Sequence, residues 1–135
     1  MSFSPSTPAA LPPEGEPGRV FIGDVTTEAG AVIPDVPVDF ELTGDAHASG
    51  PSDEYHPTAG WWNGMIGSAR ALDTDEYCII CTNVIGGCRG TTGPSSPHPD
   101  DGKPWGSRFP AISVRDTVTV EHLALQELGI SRLQA

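Results

Sequence analysis

Positive charge, cysteine and long apolar runs are all scarce in this chain. Its 135 residues carry 7 Lys and Arg against 18 Asp and Glu, a formal charge of −11. Such a field repels phosphate backbones and anionic lipid, and no Lys/Arg cluster offers a local exception, so neither nucleic acid nor a membrane surface is expected as a partner. No apolar run exceeds a few residues, and none is long enough to span a bilayer. Three cysteines, an odd number, make no disulfide framework. Met1-Ser2-Phe3-Ser4-Pro5 has neither the basic nor the apolar region of a secretory signal, so a cytoplasmic location is the expectation. No Gly-x-Ser-x-Gly occurs anywhere, which leaves the serine form of the nucleophile elbow out of this stretch.

Core-forming residues are also few. Leu, Ile, Val and Phe total 28, diluted by 16 Gly and 14 Pro. That is close to the level of about 20% below which a charged chain cannot sustain a core, so composition predicts at most one domain and a poor self-sufficient globule.

Residues 1–18 hold five prolines and no apolar period, and read as a disordered Pro-rich leader to a domain over 19–135. Arg19 to Val25 predicts a strand, Glu28-Ala29-Gly30 a turn, and Val32 to Phe40 a second strand. Pro34 and Pro37 assign that second strand to a sheet edge, the pair making an antiparallel hairpin at its margin. Leu42 to Gly60 reads as a long loop, and Trp61 to Ile66 as a short helix packed by two indoles. Tyr77 to Val84 is continuously apolar, as in a strand buried on both faces of a parallel α/β sheet. Residues 86–110 are too rich in Gly, Pro and Asp for regular structure. Ser113-Val114-Arg115-Asp116 opens a helix with a capping box, Val114, Val118, Leu125 and Leu128 form one face, and Gly129 stops it. Ile130 to Ala135 looks like the approach to another strand.

Several constellations bear on chemistry. Cys78-x-x-Cys81 has a redox or zinc spacing, but in a strand an odd separation sends the two thiols to opposite faces. A buried structural role is the reading for both. Gly86-Gly87-Cys88-Arg89-Gly90 follows a strand as a nucleophile elbow does, with Cys in place of Ser. The elbow needs a helix next, whereas Thr91-Thr92-Gly93-Pro94-Ser95-Ser96-Pro97 cannot supply one, so a Gly-rich turn is favoured over a catalytic Cys88. Asp45, His47 and Ser49 contain the residue types of a hydrolase triad, yet lie too close on one loop for its geometry. No His pair has a metal-ligand spacing, and no metal site is predicted.

Taken together, Leu42-Thr43-Gly44-Asp45-Ala46-His47, Gly60-Trp61-Trp62-Asn63-Gly64, Ala71-Leu72-Asp73-Thr74-Asp75, Cys81 through Ser96, Gly102-Lys103-Pro104-Trp105-Gly106, Phe109-Pro110 and Val114-Arg115-Asp116 closely resemble the N-terminal part of the homoserine O-acetyltransferases. The resemblance covers most of residues 19–133. It implies the α/β-hydrolase fold and a place in methionine biosynthesis. The reaction implied is a ping-pong transfer in which a triad-activated Ser takes acetyl from acetyl-CoA and passes it to the homoserine hydroxyl. By the same resemblance, Leu42 supplies a backbone N–H to the oxyanion hole, an interaction typically worth about 3 kcal/mol in the transition state. Thr43, Gly44, Asn83, Gly86, Gly87 and Arg89 become candidate pocket residues. No bound cofactor is implied, acetyl-CoA being a substrate, and the family is homodimeric.

Two departures shape the expectation. The family's Ser, Asp and His are expected beyond Ala135. The family also places a turn and a buried strand before Leu-Thr-Gly, where this chain runs from Val38-Asp39-Phe40-Glu41 straight into Leu42. The expectation is an incomplete α/β-hydrolase sheet from an N-terminal fragment, inactive by itself and with exposed strand edges. The alternatives are a non-catalytic remnant that binds a full-length homologue, and a small thiol enzyme using Cys88.

Overall fold

The computed structural model describes residues 17–42, 52, 54, 57–88 and 90–134. Strands β1 (Pro17–Phe21), β2 (Val25–Thr26), β3 (Val32–Ile33), β4 (Pro37–Leu42) and β5 (Ile80–Thr82) precede a short 3-10 helix at Gly106–Arg108 and one α-helix, α1 (Val114–Glu127). Residues 1–16 of the expected leader lie outside the described residues, and Pro17 and Gly18 already belong to β1.

The expected hairpin is present as a kinked ribbon. β1 pairs antiparallel with β4, and β2 with β3. The two halves join where Gly23 (φ 75) faces Asp35 (φ 44), both left-handed. The Ile22 N–H donates to the Val36 carbonyl, the Val36 N–H to the Gly23 carbonyl, and the Asp35 N–H to Asp24 Oδ1. Three amides at the bend thereby keep partners, which steadies the ribbon where it folds over. Pro34 therefore interrupts the predicted Val32 to Phe40 strand rather than lying inside it.

β4 is not an edge. The sheet order is β1-β4-β5, and β4 is its middle strand. Pro37 is tolerated because it is the first residue of the strand, opposite Phe21. β5 is shorter than the predicted Tyr77 to Val84 strand, lies at the margin, and runs antiparallel to β4. Its residues are half-buried, so the continuous apolar run marks a partly covered margin rather than a central parallel strand. Trp61 to Ile66 forms successive turns and bridges, not a helix, and Trp61 is 94% exposed.

α1 starts as expected. Ser113 accepts from the Asp116 N–H at 3.1 Å while Asp116 accepts from the Ser113 N–H at 2.9 Å, the reciprocal capping box. It ends in a Schellman turn. Gly129 (φ 74) donates to the Gln126 carbonyl and Ile130 to that of Leu125. Its seated face differs from the predicted one. Val120, Ala124 and Leu128 pack on β1 and β4, whereas Val114 and Val118 are exposed. Short Ala124 lets the helix approach the sheet, where Val20, Val38 and Phe40 form the opposing layer. Gly18 completes that layer. A Cβ there would meet the Phe40 ring at 2.5 Å, so the glycine makes room for the aromatic.

Candidate functional site

The predicted pocket residues divide by position. Leu42 ends β4, paired with Ile80. Thr43, Gly44 and Arg89 lie outside the described residues, as do His47 and His56. Asn83, Gly86 and Gly87 share one loop that leaves β5. The strand that delivers Leu42 and the loop that carries Asn83 meet at Asp39, one residue past the β4–β5 pairing.

Asp39 turns its backbone toward the loop. The Asn83 N–H donates to the Asp39 carbonyl at 2.9 Å, and the Asp39 N–H donates to Thr91 Oγ1 at 3.0 Å. The first extends the β4–β5 ladder by one residue. The second replaces a strand partner with a buried hydroxyl, Thr91 being 2% exposed. Arg19 sits directly across from Asp39 on β1 and grips its carboxylate through Nε and Nη2, the latter at 2.9 Å. These hydrogen bonds hold the guanidinium above its already high ordinary pKa. Gly90 then passes over the pair in a left-handed conformation (φ 62), where a Cβ would lie 2.2 Å from Asp39 Oδ2. Only glycine fits both demands.

The loop's far end closes on itself. The Gly86 N–H donates to the Thr92 carbonyl at 2.8 Å, and the Gly93 N–H to Ser96 Oγ at 2.9 Å. A Cβ on Gly93 would stand 2.1 Å from the Gly87 carbonyl oxygen, so the two limbs touch backbone to backbone. Trp105 is buried beneath, with His98 at 4.1 Å and Phe109 edge-on at 5.7 Å between ring centroids. The His98 Nδ1 accepts from the Asp100 N–H, so this histidine shapes a turn.

Cysteine chemistry finds no support in this arrangement. Cys78 is exposed and lies before β5, correcting the buried structural reading, while Cys81 is half-buried within it. Cys88 is exposed in a turn, and the described residues from Gly90 to Trp105 contain no helix to activate it. Among the described residues no group of three or more His, Cys, Asp or Glu is placed to hold a metal ion, and no helix is long and apolar enough to cross a membrane.

Sequence reasoning missed Asp39, Arg19 and Thr91. The Asp39–Thr91 contact joins residues 52 apart and has no local signal. The Arg19–Asp39 pair was accessible once the hairpin register was set, since facing charges across two antiparallel strands are neighbours.

No protein-family model matches the chain. Among curated proteins, the homoserine O-acetyltransferase of Nocardia farcinica is 51% identical over 142 residues, 92% of this chain and 37% of its own length. That of Mycobacterium tuberculosis is 44% identical over 153 residues, all of this chain and 40% of its own. Among solved structures, esterase E22 superposes with a TM-score of 0.75 at 33% identity, over 89% of this chain and 39% of that one. The homoserine O-acetyltransferase of Bacillus anthracis gives 0.75 at 27% identity, over 87% and 38%. Along nearly its whole length, and over about two fifths of theirs, the chain belongs by sequence to the homoserine O-acetyltransferase family, with the corresponding part of an α/β-hydrolase fold.

Proposed function

We propose that this stretch forms the oxyanion and pocket side of a site that moves an acetyl group from acetyl-CoA to the side-chain hydroxyl of homoserine, a step of methionine biosynthesis. The observation that carries the reading is the 51% identity to the Nocardia farcinica homoserine O-acetyltransferase across 92% of the chain. In this reading the Leu42 N–H faces the carbonyl oxygen as it gains charge, and Thr43 and Gly44 serve the same site. Asn83, Gly86, Gly87 and Arg89 line the acceptor side. β4 pairs with β1 from Pro37 to Glu41 and with β5 from Phe40 to Leu42, where it ends. Acetyl-CoA acts as substrate with no bound cofactor, and a cytoplasmic location belongs to the same proposal.

The 135 residues contain no Gly-x-Ser-x-Gly, so we further propose that they do not turn over by themselves. Oxyanion donors and binding loops stabilise a transition state, but a nucleophile and its base must be present to reach it. The test is CoA release and O-acetylhomoserine formation by the purified 135-residue protein, checked for intact mass. No product above the blank is expected. Activity that follows the 135-residue mass overturns the inactivity, and homologous enzyme whose activity is insensitive to change at Asn83 overturns the pocket assignment.

A further inference from the structure

Both limbs of the loop that carries Asn83, Gly86 and Gly87 touch Asp39. The outgoing limb donates the Asn83 N–H to its carbonyl, and the Asp39 N–H donates to Thr91 Oγ1 on the returning limb. A strand residue's N–H and C=O point to one side, so Asp39 turns both to the loop and neither to β1. Arg19 and Asp39 therefore make a non-hydrogen-bonded pair, the kind whose facing side chains lie closest. Arg19 holds both oxygens of the carboxylate, through Nε and Nη2. The side chain held in this way lies under Gly90, where a Cβ would stand 2.2 Å from Asp39 Oδ2, 2.6 Å from Cγ and 2.7 Å from Cβ.

The Arg19 and Asp39 side chains are 52% and 23% exposed, and an ion pair this open to water adds little to global stability. What a two-point guanidinium contact does supply is direction, because two parallel bonds fix the plane of the carboxylate as well as its place. Without Arg19 the carboxylate regains its solvation by turning to water, and the support under Gly90 goes with it. We infer that Arg19 and Asp39 are positioning residues for the acceptor side of the site: together they set the loop that carries Asn83, Gly86 and Gly87, and act on the amino-acid acceptor only through it. The effect on the acceptor rests on the O-acetyltransferase reading, while the setting of the loop rests on the geometry around Asp39 alone.

Titration of the isotope-labelled 135-residue protein with homoserine, read together with amide exchange, tests this. Arg19→Ala is expected to speed exchange at Asn83 and Gly86 and to weaken homoserine binding, each about tenfold, while the amides of Val120 and Ala124 keep their protection. Arg19→Lys keeps the charge but not the two-point grip, and is expected to fall between the parent and the alanine variant. Asp39→Asn retains the shape and both backbone hydrogen bonds, and gives the same comparison if the alanine variant loses helix. Loop exchange unmoved by these changes overturns the inference, as does acceleration that spreads equally to Val120 and Ala124, or homoserine affinity unchanged beside a loosened loop. A parent protein that binds no homoserine, while Arg19→Ala still loosens Asn83 and Gly86, overturns the O-acetyltransferase pocket reading and leaves the setting of the loop standing.

Discussion

The hairpin and helix differ from the loop belt of residues 83–112 in what holds them. In the first region Ile33, Val36 and Val38 are fully buried, and shape follows from apolar area removed from water. In the belt, Ile85 and Trp105 reach into that core, but Thr91 and Thr92 are buried beside them, Gly90 and Gly93 admit no side chain, and the path of the loop between follows from a few backbone contacts. Burial energy is spread over many atoms and degrades gradually, whereas a contact network fails at single positions. The candidate pocket residues Asn83, Gly86 and Gly87 stand on the region that fails at single positions. A binding loop can thus be set accurately without a core of its own, provided it is bolted to a strand that has one.

The largest test of this contrast is Ile33→Ala. The side chain is 0% exposed, and the variant is expected to lose about 3 kcal/mol of global stability in chemical denaturation, with helix and belt melting together. Gly93→Ala comes next, at about 2 kcal/mol, because the added Cβ must push the Gly87 carbonyl aside. Its signature is local: amide exchange of Gly86 accelerates while Val120 and Ala124 stay protected. Uniform acceleration through α1 breaks the distinction between the regions. Thr91→Val is smaller, about 1 to 2 kcal/mol, since it keeps the shape and leaves the Asp39 N–H without its acceptor. Thr91→Ser is expected to restore stability, and failure to do so assigns the effect to packing.

The two regions were unequally legible in the sequence. Around α1, Ser113, Asp116 and Gly129 are local signals with local consequences, and both caps formed as read. The helix face was misjudged because Val114, Val118 and Leu125 are more apolar than Ala124, yet closeness to the sheet favours the small residue. The ribbon bend was hidden because it depends on Gly23 and Asp35 meeting across the hairpin. In the belt, glycine content announced the absence of regular structure but not its geometry, which is set by Asp39 from outside. β4 became central despite two prolines because Pro34 precedes it and Pro37 opens it. The Trp61 to Ile66 helix failed for the opposite reason: among the described residues no apolar layer covers the indoles, Trp61 being 94% and Trp62 47% exposed.

Acid separates the regions most gently. Asp116, 4% exposed, accepts from the Ser113 N–H and, across 88 residues, from the Glu28 N–H at 2.8 Å, so its carboxylate bolts the helix start to the β2–β3 turn. The Ser113 hydrogen bond, then that of Glu28, holds its pKa below the ordinary 3.8 against the opposing effect of burial. Asp101, in the belt, is lowered chiefly by its hydrogen bonds from Arg108. A carboxyl whose folded pKa is depressed contributes stability above its unfolded pKa and loses that contribution as pH falls through the folded value. The denaturation midpoint attributable to either group is therefore flat from neutral pH down to about 5 and declines below about 4. Followed by helix circular dichroism, the decline is expected to shrink in Asp116→Asn and to persist in Asp101→Asn, whose exposed ion pair is screened by water and salt. Equal shrinkage in both variants means that belt and helix unfold as one unit in acid, and that the division between a buried region and a contact-held one does not extend to how the molecule comes apart.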